Sequence, residues 1–178
     1  MKKISYSQIY IDDGLGDLAK ERYASRRQHL VNLVDGLIVL VGLQNPPERD
    51  HEWQLNYFLY QDPLFLYLTG INQLKTALII DPYNDETILF CSKKNPKLEF
   101  WEGKKFGYGS QKATQEIVDI TGIKTIKSIS QLSATIKSIL QSNAFQKSNK
   151  TVSTLWYSNN KDNPIRDSNF RFKQKLVK

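Results

Sequence analysis

Two histidines, His29 and His51, and one cysteine, Cys91, are all that a chain of 178 residues offers to histidine-based or thiolate chemistry. His51 stands in Asp50-His51-Glu52, a run with donor atoms for a metal. No HExxH pair and no second histidine-bearing cluster exists to complete a coordination shell. His29 falls on a polar helical stripe and reads as solvated. Cys91 closes an apolar segment, where a thiol behaves as a small buried hydrophobe. A single cysteine also excludes an internal disulfide and any zinc set needing two thiolates. The glycine-rich run Gly103-Lys104-Lys105-Phe106-Gly107-Tyr108-Gly109 resembles a phosphate loop only in composition. It matches neither GxxxxGK[ST] nor GxGxxG and does not directly follow an apolar strand, so it reads as a turn needing flexible backbone. Asp12-Asp13 lies in polar, turn-like sequence where nothing would hold one carboxyl protonated beside the other. The residues therefore name no catalytic group and no metal ligand.

The aromatic side chains are nine Tyr, eight Phe and three Trp, and most fall in strand-like segments where packing accounts for them. Trp101 differs, because Glu99-Phe100-Trp101-Glu102-Gly103 lies amid polar and glycine-rich sequence. A tryptophan held on a turn is expected there, either partly covered by its loop or offered to a ligand.

The elements that would carry these residues follow from periodicity. Asp17 to Val34 reads as a helix with Tyr23, Leu30, Val31 and Val34 on one side, ended by Gly36. Leu37 to Val41 is apolar at every position and reads as a strand covered on both faces. Residues 42–54 form a long polar loop holding Pro46-Pro47 and Asp50. Leu64 to Leu68 reads as a second apolar strand stopped by Thr69-Gly70. Thr76–Ile80 and Thr87–Cys91 are expected to form an antiparallel pair about the turn residues Asp81-Pro82-Tyr83-Asn84-Asp85. Helix (110–120), short strand (124–129), helix (130–141, capped by Ser130) and strand (151–157) complete the pattern. The fold class expected is three-layer α/β, a mixed β-sheet flanked by helices on both faces. Residues 1–157 form a single domain, and residues 158–178, polar and basic without a sustained period, a tail or linker.

Composition supports one globular domain: 40% hydrophobic and 24% charged residues in 20.6 kDa, enough to bury a core without metal or disulfide. The amino terminus lacks the pattern of an export signal, and the longest apolar run is far too short to span a bilayer. A cytoplasmic location is expected, where the sequon Asn149-Lys150-Thr151 would be silent. The net charge of +7 is uneven: residues 1–92 carry eight Lys and Arg against twelve Asp and Glu, residues 93–178 seventeen against six. The basic half could face nucleic acid or an acidic partner, or be a solvated surface. Its lysines are scattered and do not interleave with aromatics as a stacking platform requires, which argues against nucleic acid.

Three strings together resemble the amino-terminal domain of Xaa-Pro aminopeptidases in the creatinase, prolidase and aminopeptidase P group. The first is Arg26-Arg27-Gln28-His29-Leu30, similar to that domain's opening helix with paired arginines. The second is Tyr57-Phe58-Leu59-Tyr60-Gln61-Asp62-Pro63-Leu64-Phe65-Leu66-Tyr67-Leu68-Thr69-Gly70, similar to the family's F-R-Q-D-S-x-F-x-Y-L-T-G. The third is Glu99-Phe100-Trp101-Glu102-Gly103-Lys104-Lys105-Phe106-Gly107, similar to E-x-W-x-G-x-x-x-G. Tyr60 stands where the family usually has Arg, and Pro63-Leu64 where it has Ser and a polar residue.

The resemblance implies the ribonuclease H-like fold of creatinase and prolidase amino-terminal domains. It further implies a non-catalytic accessory role: contacts in a homo-oligomer, dimer or tetramer, and restricted access to a cleft. That cleft belongs to a carboxyl-terminal "pita-bread" domain whose two Asp, one His and two Glu hold two divalent ions, commonly manganese, for hydrolysis of peptides with proline in the second position. The chain is expected to stop where that domain would begin, and to need no cofactor of its own. By the same resemblance Trp101 and Asp50 are candidate substrate contacts in the complete enzyme. The alternatives are a nucleic-acid-binding module and a free-standing regulatory domain that lost the enzyme.

Overall fold

The computed structural model describes residues 19–34, 36–42, 61–102, 105–148 and 152–154. Helix α1 (Ala19–Leu33) leads into β1 (Leu37–Val41), followed by α2 (Pro63–Thr69), β2 (Ala77–Asp81), β3 (Glu86–Cys91), α3 (Pro96–Glu102), α4 (Gln111–Thr121), β4 (Thr125–Ser128), α5 (Leu132–Leu140), α6 (Asn143–Ser148) and β5 (Val152–Thr154). The five strands form one sheet in the order β4-β3-β2-β1-β5. The pairs β1/β2 and β2/β3 are antiparallel, whereas β1/β5 and β3/β4 are parallel, so the sheet is mixed as expected.

Strand β1 lies near the middle of the sheet and is buried at every residue. Alternation sends Ile38 and Leu40 to one face, where they pack with Leu78, Ile80 and Leu89 beneath residues of α1, α2 and α4, including Leu30, Phe65 and Ile117. Leu37, Val39 and Val41 join Ile79, Ile88 and Phe90 on the other face, covered by Leu132, Ile136 and Ile139 of α5 and Phe145 of α6. Helices thus flank both faces, giving three layers. The hairpin between β2 and β3 closes on Asp81, whose buried carboxylate accepts from Tyr83 N at 3.0 Å and Asn84 Nδ2 at 2.8 Å. This is the turn that the run Asp81 to Asp85 foretells.

Several local expectations are corrected. Leu64 to Leu68 is not a strand but most of helix α2. Asp62 caps it, accepting from Leu64 N and Phe65 N at 3.0 Å each, Pro63 takes the first turn, and Gly70 ends it at φ 70° with its N–H on Leu66 O. An apolar run this short has no readable period, and the flanking Asp-Pro and Gly are helix signals that should have outweighed it. Helix α5 does not begin with Ser130 as cap. Ser128 caps a preceding 3-10 turn, Ile129–Gln131, in a reciprocal arrangement with Gln131, whose Oε1 accepts Ser128 N at 3.2 Å. Helices α3 and α6 were not foreseen. The backbone of Trp101 lies in the last turn of α3 and not on a glycine-rich turn. Asp50, His51, the sequon, and the division at residues 157 and 158 lie outside the described residues.

Candidate functional site

The three sequence strings, separated by tens of residues, are tied together by side chains that bond backbone. From the first, Arg26 donates Nη1 to Tyr67 O at 3.0 Å and stacks on the Tyr67 ring at 4.3 Å. Arg27, only 6% exposed, donates to Leu68 O at 2.9 Å and to Thr121 O at 2.8 Å. Those carbonyls end α2 and α4, the negative ends of two helix dipoles. Burial lowers Arg27 from its ordinary value to about 10, and the two carbonyls are what compensate the guanidinium for lost water. His29, on the same helix, is exposed.

The second and third strings meet through Gln73, between α2 and β2. Its amide Nε2 donates to Phe106 O at 2.9 Å while its Oε1 accepts Phe106 N at 2.8 Å. The Gln73 carbonyl in turn accepts from Gln61 Nε2 at 2.7 Å and Thr76 Oγ1 at 2.9 Å. Thr76 O accepts Gly42 N at 3.0 Å, closing this network onto the residue after β1. Gly42 has to be glycine, because a Cβ there would lie 2.6 Å from Gln61 Oε1 and 2.8 Å from Thr76 Oγ1.

This network sits at the end of the sheet where β1 and β3 finish and β2 starts. The connection from β3 to α4 leaves that end as a stem. Lys94 N donates to Tyr108 O at 2.9 Å and Tyr108 N to Ser92 O at 3.3 Å. Gly107 lies against Lys94 so closely that a Cβ would stand 2.5 Å from Lys94 N. Lys94 Nζ contacts Glu116 at 2.7 Å and Glu99 at 3.5 Å. Burial alone would lower Lys94, but the bond to Glu116 and the charges of Glu116 and Glu99 raise it above its ordinary value.

Helix α3 rides on this stem. Asn95 opens it by accepting from Lys97 N at 3.1 Å, and Lys105 N returns to Glu99 Oε1 at 3.3 Å. Phe100 is 80% exposed and Leu98 49%, so α3 carries apolar side chains outward from a firmly bonded base. The backbone of Trp101 belongs to this helix. Gly42 and Gln61, the described residues on either side of the segment that holds Asp50, both belong to the Gln73 network. Sequence reasoning singled out Trp101 but missed Gln73, Gly42 and Thr76. The only cue to Gln73 was a polar residue just before an apolar strand.

No other part of the described structure assembles chemistry. Among the described residues, no group of three or more His, Cys, Asp or Glu comes together as a metal would require. Cys91 is buried, and burial, partly offset by a backbone bond from Tyr108, raises its thiol to about 11; such a thiol is inert at neutral pH. A groove of about 590 Å³ on the other face, between β3, β4 and α5, is lined by Glu86, Lys127, Thr135 and Ser138 among others, and contains none of the residues singled out from sequence. No described helix is long and apolar enough to cross a membrane.

Comparison with known proteins matches this architecture. The family model described as "Aminopeptidase P, N-terminal domain" covers residues 23–147. A Xaa-Pro aminopeptidase from Haemophilus influenzae is 28% identical over 105 residues, 58% of this chain and 24% of that protein. The aminopeptidase PepP of Pseudomonas aeruginosa superposes with a TM-score of 0.60 at 20% identity, over 89% of this chain and 32% of its own. The proline aminopeptidase P II of Yersinia pestis does so with a TM-score of 0.60 at 17% identity, over 89% and 31%. The chain thus spans a quarter to a third of the length of these relatives.

Proposed function

The chain belongs to the family of aminopeptidase P amino-terminal domains, and from that premise we propose that it works as the non-catalytic half of a Xaa-Pro aminopeptidase. In this reading a carboxyl-terminal catalytic domain is its principal partner. That domain supplies the two divalent ions, manganese being the expected choice, and the bound water that attacks the peptide bond. The present chain narrows the cleft and contributes contacts to a cytoplasmic homo-oligomer. Peptides with proline in the second position are the substrates.

The observation that carries this reading is α3. A short helix whose base is held by backbone pairing at Lys94 and Tyr108, and whose outer residues Leu98 and Phe100 are exposed, is built to touch something outside its own domain. Apolar groups exposed on a fixed base keep their contact geometry without an ordering cost on binding. Trp101, in the last turn of that helix, is the residue proposed to meet substrate, and a planar ring suits packing against proline. Asp50 is proposed as the second contact.

The test is made on the polypeptide that joins this chain to a catalytic domain carrying the two Asp, one His and two Glu. It should hydrolyse Xaa-Pro peptides with manganese. Trp101→Ala should lower kcat/KM about two- to tenfold, the worth of one aromatic contact, while leaving thermal unfolding of the isolated chain nearly unchanged. A large stability loss with unchanged kinetics would make Trp101 a packing residue and remove it from the site.

A further inference from the structure

We propose that Gln73 is a positioning residue, which fixes the segment following α3 and through it the placement of α3, the helix to which the backbone of Trp101 belongs. The proposal rests on the reading of Trp101 given above, and deepens it by naming what holds the site in place. Leu98 and Phe100 are exposed, so the bonds at the base of α3 bear on where it points. The leading end is set by Asn95 and by the pairing of Lys94 with Tyr108. On the other side Lys105 donates its N–H to Glu99 of α3, and the next residue, Phe106, is buried, with its N–H and C=O both met by the single amide of Gln73.

The N–H and C=O of one residue present one donor and one acceptor from two successive peptide groups, and a primary amide presents the complementary pair in one plane, so the match fixes both distance and orientation. A thioether or an ionised carboxylate cannot supply both halves, and a hydroxyl has a single oxygen for both. Gln73 is itself held, because its carbonyl accepts from Gln61 and Thr76. Shifting Phe106 would therefore mean moving the start of β2 as well.

The experiment uses two variants of the chain, followed by NMR of backbone amides and tryptophan indoles. Gln73→Met keeps the shape and removes both bonds. Gln73→Glu restores them only when its carboxyl is protonated, since the neutral acid again donates and accepts. In Gln73→Met the Phe106 amide should exchange with solvent at least about tenfold faster, and the Trp101 indole resonance should move, while resonances of α5 stay in place. In Gln73→Glu both resonances should approach the wild-type positions on acidification and leave them together as pH rises. A Trp101 resonance that stays fixed while Phe106 responds, or equal disturbance throughout the chain, would overturn the proposal.

Kinetics on the joined polypeptide separate this idea from the reading beneath it. Gln73→Met should raise KM more than it lowers kcat, and the effect should vanish in a Trp101→Ala background. Undiminished additivity of the two substitutions would count against positioning through Trp101. Absence of any Xaa-Pro hydrolysis by the unaltered polypeptide would instead defeat the functional reading, with the NMR result still deciding whether Gln73 positions α3.

Discussion

Arg27 and Gln73 each bond backbone far away in sequence, yet they organise opposite kinds of region. Around Arg27 everything closes: the guanidinium bonds the ends of α2 and α4, and Tyr23, Phe65, Leu68 and Ile117 nearby in the fold are buried. Around Gln73 the base closes but the helix beyond it opens, with Phe100 and Leu98 turned outward. The chemistry of each side chain suits its task. A guanidinium only donates, and two helix carboxyl ends offer only carbonyls. An amide donates and accepts, and the N–H and C=O of Phe106 ask for both. The difference teaches that the charged staple belongs to stability and the neutral clamp to presentation.

The largest expected effect tests the closed region. Arg27→Met should cost about 3 kcal/mol, because two buried carbonyls lose charged donors while part of the desolvation cost is recovered. Chemical denaturation of the variant and the parent chain checks this, and a loss below about 1 kcal/mol would remove Arg27 from its place as the staple. An intermediate effect sharpens the boundary between regions. Asp62→Ala removes the cap of α2 and should cost about 1 kcal/mol, since two backbone N–H groups lose their acceptor; the same unfolding measurement decides it. The smallest effect is on the open side. Phe100→Ser should change stability by no more than about 0.5 kcal/mol, and a cost of core size would mean that α3 is packed and that the contrast between the regions is false.

Where the sequence was legible, the reason is local or compositional. Leu37 to Val41 is apolar without interruption, so its burial on both faces needed no knowledge of neighbours. The hairpin was marked by its turn residues, and the helix expected over 110–120 is α4, capped by Ser110, whose side chain accepts Ala113 N at 3.2 Å, and ended by the αL glycine Gly122. The three strings identified the family from residue types and order alone, without any catalytic residue to help.

What the sequence could not supply depends on partners distant along the chain. Leu64 to Leu68 has the composition of a strand; the Asp62 cap that marks its helix is local, but the burial of Phe65 and Leu68 against α1 and the sheet is not. Helix α3, with exposed apolar residues, has no amphipathic period to announce it, and its base is bonded by the pairing of Lys94 with Tyr108 and by Lys105 N on Glu99. Gln73 looks like any polar residue until folding brings Phe106, 33 positions away, within reach of its amide. Residue types and their order thus determined class, family and the absence of recognisable catalytic motifs, whereas the tertiary structure alone decided which polar side chains hold the molecule, because a hydrogen bond needs two groups at one place and the sequence states only one of them at a time.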